Sequence, residues 1–137
     1  MKIDVELLDS LTAQAKASPR LRMNFDLRNS EADTSQRMLN AIEPGSEVPV
    51  HRHQKTSEVV VMLRCRAVQY LYDEQGRETD AVLLAAGALD GDGVPGAVPR
   101  MTISKGQWHE LVALESGTVI FEAKDGPYEQ ITAKDIL

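Results

Sequence analysis

Gly45-Ser46-Glu47-Val48-Pro49-Val50-His51-Arg52-His53-Gln54-Lys55-Thr56-Ser57-Glu58 sets a glycine, two histidines and a glutamate at fixed offsets in a segment rich in strand formers. Side chains alternate along extended chain, so His51 and His53 project from one side and can share one ion. Glu58 opens the next apolar run, Glu58 to Leu63, and a turn over Gln54-Lys55-Thr56-Ser57 would fold it back beside them. The last of the three histidines, His109, follows Gly106-Gln107-Trp108 and precedes another apolar run, Leu111 to Leu114. Three imidazoles with a carboxylate suit zinc, iron, manganese, nickel or copper and match calcium or magnesium poorly, since those ions prefer oxygen ligands.

Outward from this stretch, the chain reads as short strands: Met23 to Arg28, Arg37 to Ile42, Val48 to His53, Glu58 to Leu63, Ala67 to Tyr72, Ala81 to Ala85, Arg100 to Ser104, His109 to Leu114 and Thr118 to Lys124. Gly, Pro, Asp and Asn punctuate them, which predicts an all-β sandwich or barrel. Ahead of them Val5, Leu8, Leu11 and Ala15 recur at helical spacing and Pro19 marks a stop, so residues 1–19 form a short α-helix that packs on the barrel of residues 20–137. Asp73-Glu74-Gln75-Gly76 reads as a compact hairpin turn, and Gly87 to Gly96, with four glycines and a proline, as a longer mobile loop.

The pattern G-x5-H-x-H-x4-E followed by G-x2-H resembles the two motifs of the cupin superfamily, which implies a double-stranded β-helix, or jelly-roll barrel, holding a metal inside. More narrowly, Arg37 to Gly45, Trp108-His109-Glu110-Leu111 and Phe121 to Tyr128 resemble the WbuC family of cupin-fold metalloproteins, and that likeness runs from Arg20 to Asp135. Cys65 stands where the first cupin motif closes on a glycine, and Ser104 and Ala113 replace a proline and an asparagine of the second. These departures touch turn geometry and remove no metal ligand. The resemblance implies a protein of bacterial surface-polysaccharide gene clusters, and also a homodimer.

The metal ligands are therefore expected to be His51, His53, Glu58 and His109, with Glu58 able instead to orient a water or an imidazole from behind. The ion is one divalent transition metal, zinc first, with iron, manganese or nickel as alternatives. If His109 points inward, Leu111 and Ala113 do too, while Trp108 and Val112 face out and Trp108 anchors the outer face. On the last strand, either Val119, Phe121 and Ala123 face inward, the default for a core strand, or Ile120, Glu122 and Lys124 do. The same choice holds for Arg37, Leu39 and Ala41 against Gln36, Met38, Asn40 and Ile42. Glu122 and Glu110 are the candidate acid-base residues, and Arg37, Asn40, Lys124 and Tyr128 the candidate pocket. Tyr128 would cap the barrel mouth or pin the tail. Cys65 reads as a small hydrophobe near a strand end.

Three function classes remain: a metal-dependent isomerase, epimerase or lyase acting on a sugar or sugar nucleotide, an iron-dependent oxygenase, and a non-catalytic small-molecule binding protein. No phosphate loop, dinucleotide fingerprint or nucleophile arrangement accompanies the histidines. The net charge of -6 without a basic stripe argues against nucleic acid, although Arg20, Arg22 and Arg28 could meet an anionic group locally. The opening Met-Lys-Ile-Asp-Val-Glu lacks the apolar core of a signal peptide, no run is long enough for a membrane span, and the single cysteine allows no internal disulfide. Together these point to a cytoplasmic protein and a small polar metabolite as partner.

Overall fold

The structure is a computed structural model that describes residues 1–88 and 95–137. Helix α1 (Val5–Ala17) begins at Asp4, whose Oδ1 accepts a hydrogen bond from Leu7 N at 3.0 Å, and Lys16 complements its carbonyl end. Pro19 then prevents continuation. The strands are β1 (Arg22–Asp26), β2 (Gln36–Ile42), β3 (Glu58–Arg64), β4 (Arg66–Tyr72), β5 (Glu78–Ala85), β6 (Arg100–Ile103), β7 (Trp108–Ala113) and β8 (Val119–Lys124). They form two antiparallel sheets, ordered β1-β2-β8-β3-β6 and β5-β4-β7. The all-β jelly-roll architecture with one N-terminal helix is the one expected. The turn between β4 and β5 also forms as expected, with Gly76 N donating to Asp73 O at 3.0 Å. Of the Gly87–Gly96 connection, Leu89 to Val94 lie outside the described residues.

One expected strand is absent as such. Val48 to His53 pairs only at His51, where the chain bridges His109 on one side and Ile136 on the other. Pro49 has no N–H to donate, so a regular ladder cannot run through this segment.

The sheets close over an apolar cluster built from both: Ile42, Val60, Met62, Ile103 and Ile120 from the larger, Ala67, Leu84 and Ala113 from the smaller. A second cluster covers the other face of the larger sheet, where Leu8, Leu11 and Ala15 of α1 meet Leu39, Ala41 and Val119. Arg64 fastens the helix by donating to Thr12 Oγ1 at 2.8 Å and pairing with Asp9 at 2.6 Å. Strands β2 and β8 are thus buried on both faces.

Register then places the inward side chains in rows. Gln36, Lys124 and Glu58 lie in one row, Met38, Glu122 and Val60 in the next, and Asn40, Ile120 and Met62 in the third. The interior is therefore polar at one end and apolar at the other.

Cys65 joins β3 to β4 with φ 65°, the left-handed region that glycine enters freely and other residues enter at a cost of about 1–2 kcal/mol. That explains the glycine of the general motif at this position. Two stability outcomes follow, both read by chemical denaturation. Cys65→Gly should raise stability by about 1 kcal/mol while Cys65→Val lowers it. Leu11→Ala, which empties a site only 2% exposed under α1, should cost about 3 kcal/mol. A loss under 1 kcal/mol for Leu11→Ala would show that the helix is not part of the core.

Candidate metal centre

His51 and His109 face each other across a hydrogen-bonded antiparallel pair: His51 N donates to His109 O at 3.0 Å and His109 N to His51 O at 2.9 Å. Residues directly opposite in such a pair point to the same face, so the two imidazoles meet with ring centroids 4.4 Å apart. His53, two residues on, returns to that face and is fixed through its carbonyl, which accepts from Gly106 N at 2.8 Å. Gly106 makes that turn with φ 76°. Each of the three histidines offers a nitrogen within 4.8 Å of the others.

The ring tautomers are set from behind. His51 Nδ1 lies 2.9 Å from Pro49 O and His109 Nδ1 lies 2.8 Å from Gln107 O. A carbonyl can only accept, so both Nδ1 atoms carry hydrogen and both Nε2 lone pairs turn inward. Burial first, and the neighbouring charges of His109 and Lys124 respectively, hold His51 and His53 down to about 4, so both rings are neutral at pH 7.

Glu58 comes from β3 on the opposite sheet. Its Oε2 lies 3.6 Å from His53 Nε2 and 3.5 Å from His109 Nε2, buried and without a hydrogen-bond partner among the described residues. Burial pushes this carboxyl up, but His109 and Lys124 outweigh it and bring it to about 2. Reciprocally, burial disfavours the His109 proton while the Glu58 carboxylate more than compensates and raises its pKa. A buried carboxylate beside the neutral imidazoles of His51 and His53, with no hydrogen-bond partner among the described residues, calls for a cation. The residues therefore fit a divalent transition metal: three imidazole nitrogens with the carboxylate beside them, the set expected from sequence. They leave the side toward the cavity open, as in a catalytic rather than a closed site.

That cavity has a volume of about 800 Å³ and runs from the histidines to Arg20, Arg22 and the 127–135 segment. Asn40, Lys124 and Tyr128 line it, as expected. So do Ile120, Glu122 and Lys124 of β8 together, which overturns the default of an apolar inward face. The reason is α1, which supplies an apolar partner for Val119 and Phe121 on the far side. Two further expectations are corrected. Arg37 points away from this cavity, donating to Leu27 O at 3.1 Å and pairing with Asp33, because its neighbours in register on that face belong to the helix-covered side. It borders only a smaller pocket with Asp26 and Arg28. Glu110 follows His109 directly on β7, so alternation turns it outward beside Tyr72, away from the reacting space.

Sequence reasoning missed Arg52. Lying between the two ligands, it points to the outer face, where its guanidinium stacks 4.5 Å from the Trp108 ring and pairs with Asp135 at 3.0 Å. Trp108, buried to 6% exposure, also donates its Nε1–H to Glu74 at 3.2 Å. Trp108 does anchor the outer face, as expected, but through Arg52. The tail is bound to the same segment, with Leu137 N donating to Val50 O at 2.8 Å and Arg52 N to Asp135 O at 3.1 Å. Arginine beside a histidine and tryptophan beside another was the available signal.

Comparison with known proteins agrees with this geometry. Residues 3–84 match the model of a protein family described as a domain of unknown function, DUF6016. The chain belongs to that family. No curated protein matches its sequence. Among solved structures, an oxalate oxidase in complex with the substrate analogue glycolate superposes with a TM-score of 0.63 at 11% identity, covering 85% of this chain and 56% of that one. The capsular polysaccharide assembling protein CapF from Staphylococcus aureus gives 0.62 at 16% identity, over 82% of this chain and 30% of its own. KdgF from Halomonas sp. gives 0.57 at 14% identity, over 82% and 84%. This DUF6016 chain has the cupin fold. It spans about half the length of the oxalate oxidase, so the likeness speaks to architecture. No helix among the described residues is long and apolar enough to cross a membrane.

Elemental analysis of the purified protein should find about one transition-metal ion per chain, as befits a single mononuclear site. His51→Ala and His109→Ala should abolish it. Arg52→Ala, which keeps every ligand but frees the segment that carries two of them, should weaken metal affinity by about tenfold. Undiminished affinity in Arg52→Ala would show that the stack is not what orients the histidines.

Proposed function

We propose that this protein is a metal-dependent enzyme of WbuC type acting on a sugar or sugar-nucleotide intermediate of bacterial surface-polysaccharide biosynthesis. The observation that carries the reading is the Glu122–Lys124 pair in the wall of the metal-facing cavity. Glu122 Oε2 lies 3.6 Å from Lys124 Nζ, both side chains are largely buried, and register puts Lys124 in the row of Glu58 and Glu122 in the next. The likeness in fold to CapF, a capsular polysaccharide assembling protein, supports the substrate class.

A bound divalent ion would supply Lewis acidity and orientation to a substrate oxygen. The chain supplies the proton chemistry. Burial, then the nearby Glu58 charge, raises the pKa of Glu122. A carboxylate of raised pKa is a stronger base, suited to taking a proton at Glu122 Oε2 from a carbon beside a carbonyl and returning it elsewhere. The Lys124 ammonium offsets the charge when Glu122 is ionised and holds the carboxylate toward the cavity. Met38, Val60 and Ile120 around it keep water from competing for that proton. Such a site suits isomerisation or epimerisation.

The test is solvent hydrogen exchange into a panel of nucleotide sugars in D2O, followed by NMR with metal content measured on the same samples. Wild type should exchange one carbon-bound hydrogen, and Glu122→Gln should lose at least about 100-fold of that rate with its metal retained. Removing oxygen should change neither. Oxygen uptake dependent on iron would replace this reading with an oxygenase, and binding without exchange would leave a binding protein.

A further inference from the structure

The cavity end farthest from the histidines in register carries charge that nothing balances. Arg28, Arg37, Arg52, Arg64, Arg66 and Arg77 each pair with a carboxylate. Arg20 and Arg22 line the cavity, yet among the described residues neither pairs with a carboxylate; Arg22 donates only to the backbone carbonyl of Glu47 at 2.9 Å. Burial, then the Arg20 charge, lowers the Arg22 pKa, the mark of two guanidiniums sharing a space without an anion.

Their backbone is held firmly. Leu21, between them, has φ 55°, Glu43 N donates to its carbonyl at 2.9 Å, and Ser46 Oγ donates to Arg20 O at 2.8 Å. A second observation lies one register row away. Asn40, paired with Asn24 across β1 and β2, leaves Oδ1 buried with no hydrogen-bond partner among the described residues. An orphaned buried acceptor costs about 1–3 kcal/mol unless a donor meets it.

We propose that Arg20 and Arg22 form an anion-binding subsite, so that the cavity takes a hydroxylated molecule whose carboxylate or phosphate pairs with the two guanidiniums while a hydroxyl donates to Asn40 Oδ1. The inference rests on the metal-site reading only for what occupies the other end of that molecule. Arginine suits the role because its planar fork meets carboxylate and phosphate oxygens two at a time. Lys134 lines the same cavity, as does Lys55, which is paired with Glu129 at 2.8 Å.

Calorimetric titration of zinc-reconstituted protein with glucuronate, glucose 6-phosphate and glucose tests this, with zinc per chain measured on each sample. Wild type should bind at least one anion ten times more tightly than glucose, and glucuronate against glucose 6-phosphate tells carboxylate from phosphate. The double variant Arg20→Gln, Arg22→Gln should lose that tenfold preference while keeping its zinc, and Asn40→Ala should weaken all three sugars alike. Arg100→Gln, outside the cavity, should bind as wild type does. Equal binding of glucose and both anions, an unaltered double variant, or no binding by zinc-loaded wild type would each overturn the subsite. Arginine-dependent anion binding in protein that takes up no zinc would uphold the subsite and remove the metal reading instead.

Discussion

The two backbone hydrogen bonds exchanged by His51 and His109 are the constraint on which the site depends. They make the His-x-His segment an extra rung on the edge of β7, which fixes where both imidazoles point before any side-chain contact is counted. The segment has no ladder of its own to hold it. It is clamped instead, by β7 on one side and by Asp135 to Leu137 on the other. Alternation then works twice: inward go His51, His53 and His109, outward go Arg52 and Trp108, whose stack resists any rotation of the strip.

A consequence is that the ligands come from both sheets. The histidines ride on the smaller sheet and its extension, while Glu58 starts β3 in the larger one. Of the groups around Glu58 Oε2, none hydrogen-bonds it, and the carboxylate stays ionised through the His109 and Lys124 charges. Burial first, and then that Glu58 charge, make the nearby Glu122 harder to deprotonate. Two acids of one sheet face are thus shifted in opposite directions, Glu58 toward the anion and Glu122 toward the protonated form.

Much of this was legible in the sequence. The helix, the eight strands and the Asp73–Gly76 turn follow from apolar period and turn residues, and the structure brings the three histidines together with Glu58 beside two of them. The face of β8 was not legible. Val119, Phe121 and Ala123 look like a core face, and Val119 and Phe121 do pack against apolar neighbours, but on the helix side of the sheet. A period of two says that a strand has two faces, not which of two apolar environments lies on which side, so Arg37 was misplaced with Leu39 and Ala41 for the same reason. Arg52 and the tail escaped because their partners are distant in sequence and isolated backbone bonds leave no pattern. Cys65 is the reverse case, a departure visible in sequence whose meaning appears only in its φ of 65°.

The two ends of the interior divide the labour between stability and chemistry. At the closed end, Glu43 accepts from Ser116 Oγ at 2.5 Å and from Gly117 N at 2.8 Å, and the apolar cluster fills the space between the sheets. In the cavity, Glu58 Oε2 and Asn40 Oδ1 are buried without a hydrogen-bond partner among the described residues, and the more exposed Arg20 and Arg22 pair there with no carboxylate. Burying groups in this state costs free energy that the apolar end must offset, and whatever cation and anion enter the cavity return part of it as binding. Because Glu58 and the histidines belong to different sheets, an ion held among them also ties the mouth of the barrel, so occupancy and folding stability must rise together.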